Sequence, residues 1–166
     1  RRAEQAFVMT VDERLAIRGR MDRLETNAAN RAVVIDYKYS KQSKKTVREH
    51  NDGTRAQAGL YLLAAEKALG HEPAGMFYVG LRGEIEWHGW HIPLPGFESL
   101  GESVRPEMLR EMMDEALRRT VETRDAVARG EIAPHPADTA KCQWCDFADI
   151  CRIEEAAAPL AAETQP

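Results

Sequence analysis

The sequence predicts an α/β (α+β) domain in which one mixed central β-sheet is flanked by helices. Three observations carry this expectation. The run "AVVIDYKYS" is apolar and β-branched enough for a strand covered on both faces. Two helical stretches, "TRAQAGLYLLAAEKALG" and the segment from Pro106 to about Arg129, lie on either side of a further strand pair. The 166 residues, 43% hydrophobic and 30% charged, match one globular domain with a core of its own.

The elements follow in order. "QAFVMTVDERLAIRGRMDRLETN" alternates apolar and polar residues around "VDERL", so a hairpin turns near Asp12 and Glu13. Gly19 interrupts its second strand and marks a bulge or a close backbone approach. "AANR" turns the chain into the central strand, with residues 33 to 38 in the sheet interior. The polar stretch "SKQSKKTVREHNDG" reads as a mobile connecting loop. A helix over Thr54 to Leu69 follows, capped by Thr54 or Asp52 and ended by Gly70. "AGMFYVGLRGEIEWHGWHIPL" supplies two strands around the turn "LRGE". From Pro106 to about Arg129, Met108, Leu109, Met112, Met113, Ala116, Leu117 and Val127 recur at helical spacing, giving a long amphipathic helix on the outside. "EIAPHPADTAKCQWCDFADIC" is a proline-punctuated segment, and "EEAAAPLAAETQP" a tail.

Composition narrows the function classes. No apolar stretch approaches the roughly 18 to 20 residues of a membrane helix. "RRAEQAF" lacks the apolar centre of a signal peptide, so a cytoplasmic location is the default. The chain opens without an initiator Met and reads as part of something longer. A net charge of -4 argues against a generally basic nucleic-acid surface while leaving room for a local patch. Three cysteines within ten residues, Cys142, Cys145 and Cys151, are an odd count too tightly clustered for an ordinary disulfide framework, which points to metal ligation. Trp87, Trp90 and Trp144 are expected in the core, and the five histidines at the surface or in structural places.

The chemistry concentrates on the central strand. Side chains alternate across a strand, so Asp36 and Lys38 share one face, with apolar Val34 deeper on it. Asp22 of "GRMD" lies near the end of the preceding strand, where a short turn brings the two strand ends together. Two carboxylates converging beside an ammonium make a site for a hard cation, with a charged group ready to act on a bound water. Gln57 and Tyr61, four apart on the next helix, share a face and offer an amide and a phenol. Lys41, Lys44, Lys45 and Arg48 follow immediately after, placed to hold a phosphate backbone if they are more than a solvated loop.

In the order G-x-x-D, D-x-K, Q-x-x-x-Y and clustered cysteines, the segments "GRMDRLE", "VVIDYKYSK", "QAGLYLLA" and "PHPADTAKCQWCDFADIC" resemble the PD-(D/E)XK nuclease superfamily. More narrowly they resemble the RecB-like and AddB-like exonuclease domains of bacterial recombination and repair, and their relatives in CRISPR adaptation. The resemblance implies a restriction-endonuclease-like fold. It also implies a metal-dependent DNA exonuclease hydrolysing phosphodiester bonds within a larger protein that has a helicase domain or subunit as partner. Asp22, Asp36 and the backbone carbonyl of Tyr37 would hold Mg²⁺ or Mn²⁺, Lys38 would act on the attacking water, and Gln57 and Tyr61 would position the substrate. Cys142, Cys145 and Cys151 would be three ligands of a [4Fe-4S] cluster. The fourth cysteine, with the helix that opens the family's fold, is expected before Arg1. The implied organisation is a nuclease core over residues 1–133, a cysteine segment over 134–153 and a tail over 154–166. Two other classes stay open: a nuclease fold retained as an inactive DNA-binding or scaffolding module, and a zinc module in which His135 completes a three-Cys, one-His set. The joint presence of Asp22, Asp36 and Lys38 favours the enzyme.

Overall fold

The structure is a computed structural model that describes residues 2–39, 43–134, 136 and 138–151. The chain divides into two units, Arg1–Thr123 and Arg124–Pro166. Among the described residues one six-stranded sheet runs in sequence order from β1 (Arg2–Asp12) through β2 (Leu15–Thr26), β3 (Arg31–Lys38), β4 (Glu72–Gly80) and β5 (Glu86–His91) to β6 (Glu102–Ser103). β3 pairs parallel with β4 and β5 with β6, while the other pairs are antiparallel, so the sheet is mixed as expected. Parallel strands need a crossover. Here two helices provide it: α1 (Ser43–Asn51) and α2 (Gln57–Lys67).

β3 is an interior strand, and residues 32 to 36 are all buried. Register shows what covers each face. Val34, Met76 and Trp90 lie side by side across β3, β4 and β5 and so share a face. The His50 ring of α1 rests on Trp90 with centroids 5.1 Å apart, and α2 also packs on β3 and β4. The opposite face carries Phe77, which stacks on Phe97 at 5.8 Å and meets Trp87 edge-on at 5.7 Å. The segment after β5 thus folds back to cover that side.

α3 (Pro106–Ala128) buries Leu109, Met113 and Ala116. Gly59 of α2 lets it approach: a Cβ there would overlap the Met112 carbonyl oxygen and lie 2.6 Å from the Ala116 Cβ. Arg110 reaches across to Glu66 at 3.1 Å. The second unit holds a 3₁₀ turn over Thr139–Trp144 and a short helix, α4 (Ala148–Cys151).

Three expectations need correction, and one short strand was not foreseen. The stretch read as a mobile loop contains α1. Its buried face is built from Ser43 and Thr46, with Val47 and His50 partly covered, which is helical spacing written in small polar residues. α2 begins at Gln57 rather than Thr54, and its N-cap position, Ala56, makes no side-chain cap. The Thr54 hydroxyl instead donates to the Glu49 carbonyl at 2.9 Å, closing the end of α1. Trp144 is 87% exposed, unlike buried Trp90. β6, two residues long, had no periodicity to announce it. Gly70 does end α2, in the left-handed region at φ +72°, with its N–H donating to Glu66.

Candidate active site

The site forms where β2 and β3 part. Their ladder runs from Thr26↔Ala32 to Arg23↔Ile35. Continuing that register by one residue sets Asp22 opposite Asp36, but there a side chain replaces the ladder: the Tyr37 N–H donates to Asp22 Oδ2 at 2.8 Å. The Asp22 carboxylate therefore stands at the mouth of the splayed strands. Arg23, ion-paired with Glu25, donates to the Tyr37 hydroxyl at 3.1 Å and fixes the ring on the far side.

Asp36, 4% exposed, points to the α2 face. Its Oδ1 accepts from Gln57 Nε2 at 3.1 Å. Its Oδ2 is buried without a well-formed hydrogen bond and faces the Lys38 ammonium at 2.5 Å. The two observations agree if that contact is an ion pair of poor hydrogen-bond angle. Lys38, its side chain 27% exposed, also approaches Gln57 Oε1 at 3.4 Å and lies 5.5 Å from the centre of the Tyr78 ring.

Gln57 ties these groups to α2. Its amide nitrogen donates to Asp36 and, at 3.1 Å, to the Tyr61 hydroxyl, while its oxygen faces Lys38. Only this amide orientation works, because the flipped one would set an oxygen against the carboxylate and an NH₂ against the ammonium. The Tyr61 hydroxyl in turn donates a hydrogen bond to the Arg20 carbonyl of β2 at 3.0 Å. Phe7 of β1 meets the Tyr61 ring edge-on at 6.2 Å. β2, β3 and α2 are thus joined by one continuous polar path from Lys38 to Arg20.

Burial pushes the Asp36 carboxyl above the usual carboxylate range; the Lys38 ammonium opposes this and the Asp22 carboxylate adds to it. Burial also pushes up the Tyr61 phenol, against the Gln57 hydrogen bond. The hydroxyl of Tyr78, which lies beside Asp36 across the β3–β4 register, is raised in the same way.

The donor set suits a hard divalent ion. It consists of carboxylate oxygens, one of them buried and facing the Lys38 ammonium. Among the described residues no three His, Cys, Asp or Glu side chains gather into a metal-holding group.

The cysteines are not brought together in this way. The Cys145 N–H donates to the Cys142 carbonyl at 3.3 Å, so these two share a turn, and Cys151 ends α4, but the three form no ligand group. His135 and Lys41 lie outside the described residues. Lys44, Lys45 and Arg48 are exposed on α1, with Lys45 3.8 Å from Glu49.

Two neighbours escaped sequence reasoning. Tyr78 is brought to Asp36 by parallel pairing, which one sequence does not reveal. Arg55, whose charge acts on Asp36, hangs on Glu49 through contacts of 2.9 and 3.2 Å. A cation two residues before Q-x-x-x-Y was the available signal.

The family model of the PD-(D/E)XK nuclease superfamily matches residues 1–152. No curated protein and no solved structure gives a significant match. A mixed sheet with α-helices in its parallel crossover, and a model match over nearly the whole length, lead to one conclusion: the chain belongs to the PD-(D/E)XK nuclease superfamily.

Proposed function

We propose that this chain is a DNA exonuclease domain of the RecB-like and AddB-like kind, hydrolysing phosphodiester bonds as part of a larger cytoplasmic helicase-nuclease protein. The observation that carries the reading is the Lys38 ammonium, held between Asp36 and Gln57 where β2 and β3 part beside the Asp22 carboxylate. Asp22, Asp36 and the Tyr37 carbonyl would hold Mg²⁺ or Mn²⁺. When bound, that ion supplies Lewis-acid polarisation of the phosphate and a nucleophile near neutral pH. Lys38 orients the attacking water and stabilises charge growing on the phosphate. Gln57 fixes Asp36 and Lys38 together, and Tyr61 holds Gln57 and, through the Arg20 carbonyl, the β2 end of the site. Lys44, Lys45 and Arg48, with Lys41, carry the DNA backbone.

The presence of all three charged groups in mutual contact or register favours an enzyme over an inactive module. The working core spans residues 1–133. Cys142, Cys145 and Cys151 belong to a separate segment, 134–153, followed by a tail. There the C-x₂-C spacing supports three ligands of a [4Fe-4S] cluster completed by a cysteine elsewhere in the full-length protein. Zinc with His135 is the rival. Anaerobic metal analysis separates them: about four iron and four sulfide per chain supports the cluster, and stoichiometric zinc without visible absorption removes it.

For catalysis, Lys38→Ala and Asp36→Ala in the full-length protein are expected to abolish Mg²⁺-dependent DNA cleavage with far-UV circular dichroism unchanged. Cleavage at the parent rate in either variant overturns the assignment.

A further inference from the structure

We propose that Tyr39, Leu81 and Ile85 form an apolar ledge at the mouth of the active site, on which an unpaired base of the DNA strand stacks. The inference rests on the nuclease reading and adds to it a preference for single-stranded or frayed DNA. The three side chains are large, yet they stand 84%, 44% and 66% exposed.

Backbone pairing brings them to one place. Tyr39 directly follows Lys38, whose carbonyl accepts the Leu81 N–H at 2.9 Å where the β3–β4 pairing ends. β4 pairs with β5 as far as Gly80↔Glu86, and one residue further along that register Leu81 stands opposite Ile85. The three residues therefore occupy adjoining strand ends, one step past the row of Lys38, Gly80 and Glu86. Side chains alternate along a strand, so Leu81 leans away from the α2 side, on which Lys38 reaches Gln57. A DNA strand laid across these ends sets a phosphate at the Lys38 ammonium and a neighbouring base against the ledge.

The chemistry of the ledge fits a base rather than a backbone. A base presents a flat apolar face and keeps its polar groups at the edges, so an aromatic ring stacks on it and aliphatic side chains press against it. The turn between Leu81 and Ile85 carries Arg82 and Glu84, one charge of each sign, and Glu86 is turned to His88 at 3.4 Å. No surplus positive charge gathers there to hold a phosphate, which falls to Lys38. In a duplex the base faces are already stacked on one another, and an apolar wedge reaches them only by unstacking a step. An unpaired strand offers its faces without that cost, which sets the preference. A protein chain seated on the ledge would stand across the approach to Lys38, so the occupant is the substrate.

Binding is read by fluorescence anisotropy with a short labelled single strand and the full-length protein carrying Asp36→Asn, which stops cleavage during the titration. In that background Tyr39→Ala should weaken binding about tenfold, the value of one stacked base. Leu81→Ser together with Ile85→Ser should weaken it with circular dichroism unchanged. A strand of the same length made wholly of abasic residues keeps its phosphates and should bind parent and variants alike. A duplex capped by hairpins at both ends should do the same. Unchanged affinity of both variants for the single strand, or an equal loss on the abasic strand or the capped duplex, overturns the ledge. A smaller sedimenting species in Leu81→Ser with Ile85→Ser, at unaltered DNA affinity, assigns the row to contact with a second copy and overturns it as well. Loss of cleavage in Asp36→Ala, with ledge variants that bind DNA as the parent does, removes this inference and keeps the nuclease reading. Undiminished cleavage in Asp36→Ala removes the nuclease reading and the ledge with it.

Discussion

Phe7 and Gly19 face each other across the β1–β2 ladder, and the tip of the Phe7 ring occupies the space where a side chain at position 19 would begin, 2.6 Å from an ideal Cβ. The same ring meets Tyr61 edge-on, so the glycine of G-x-x-D makes room for an aromatic that steadies the polar path. Gly19→Ala is expected to push Phe7 off Tyr61 and to destabilise the protein by about 1–2 kcal/mol, an overpacking cost without backbone strain. Urea unfolding checks the stability. A Tyr61 ring whose NMR signals stay unchanged in the variant would contradict the proposed link.

Asp36 illustrates a conflict between folding and chemistry. Its folded-state pKa is raised, so the folded protein holds this proton more tightly than the unfolded chain does. Its contribution favours folding at low pH and is lost as pH rises through the folded pKa, which leaves the ionised side chain a cost at neutrality. Asp36→Asn keeps the shape and the bond from Gln57 while removing the charge. At pH 7 without metal it should melt higher than the parent, and it should not cleave DNA. A lower melting temperature would mean that the Lys38 ion pair outweighs desolvation.

Gly59 should behave contrary to helix propensity. An alanine in a helix interior normally gains up to about 1 kcal/mol over glycine. Here the added methyl would strike the backbone carbonyl of Met112, which no rotamer change relieves. Gly59→Ala is expected to lose about 2–3 kcal/mol as α3 is forced from α2. Chemical denaturation checks this, and a stabilised variant would refute the close crossing.

What the sequence made legible follows from the range over which each signal acts. Strand β3 could be read because its apolar run and its D-x-K alternation are local, and the turn near Asp12 because the alternation reverses around it. Gln57 and Tyr61 could be assigned to one face from helical spacing alone. α1 could not, because its inward positions are Ser43 and Thr46, which bury well once the β-sheet is beneath them but leave no apolar stripe. Tyr78 reaches Asp36 only through the parallel β3–β4 register, and Arg55 only through its hold on Glu49. Both depend on a crossover whose path no short window of sequence specifies.

His50 gives the clearest pH dependence. Its ring lies on Trp90, with Nε2 buried and unpartnered. Burial, reinforced by the Arg119 and Arg55 charges, lowers its pKa to about 4, against a weak opposing bond to its own backbone. Between about 4 and the ordinary histidine value near 6.5 the unfolded chain binds a proton that the folded protein refuses. The sign follows: stability from this group is complete above pH 6.5 and declines as pH falls toward 4, by at most about 3 kcal/mol. Other groups titrate in the same range, so the measurement is a difference. His50→Phe preserves an aromatic contact on Trp90 and cannot take a proton. The gap in unfolding free energy between parent and variant should therefore shift in the variant's favour as pH drops from 7 to 4.5. A gap independent of pH would show that His50 takes up its proton as readily in the folded protein as in the unfolded chain.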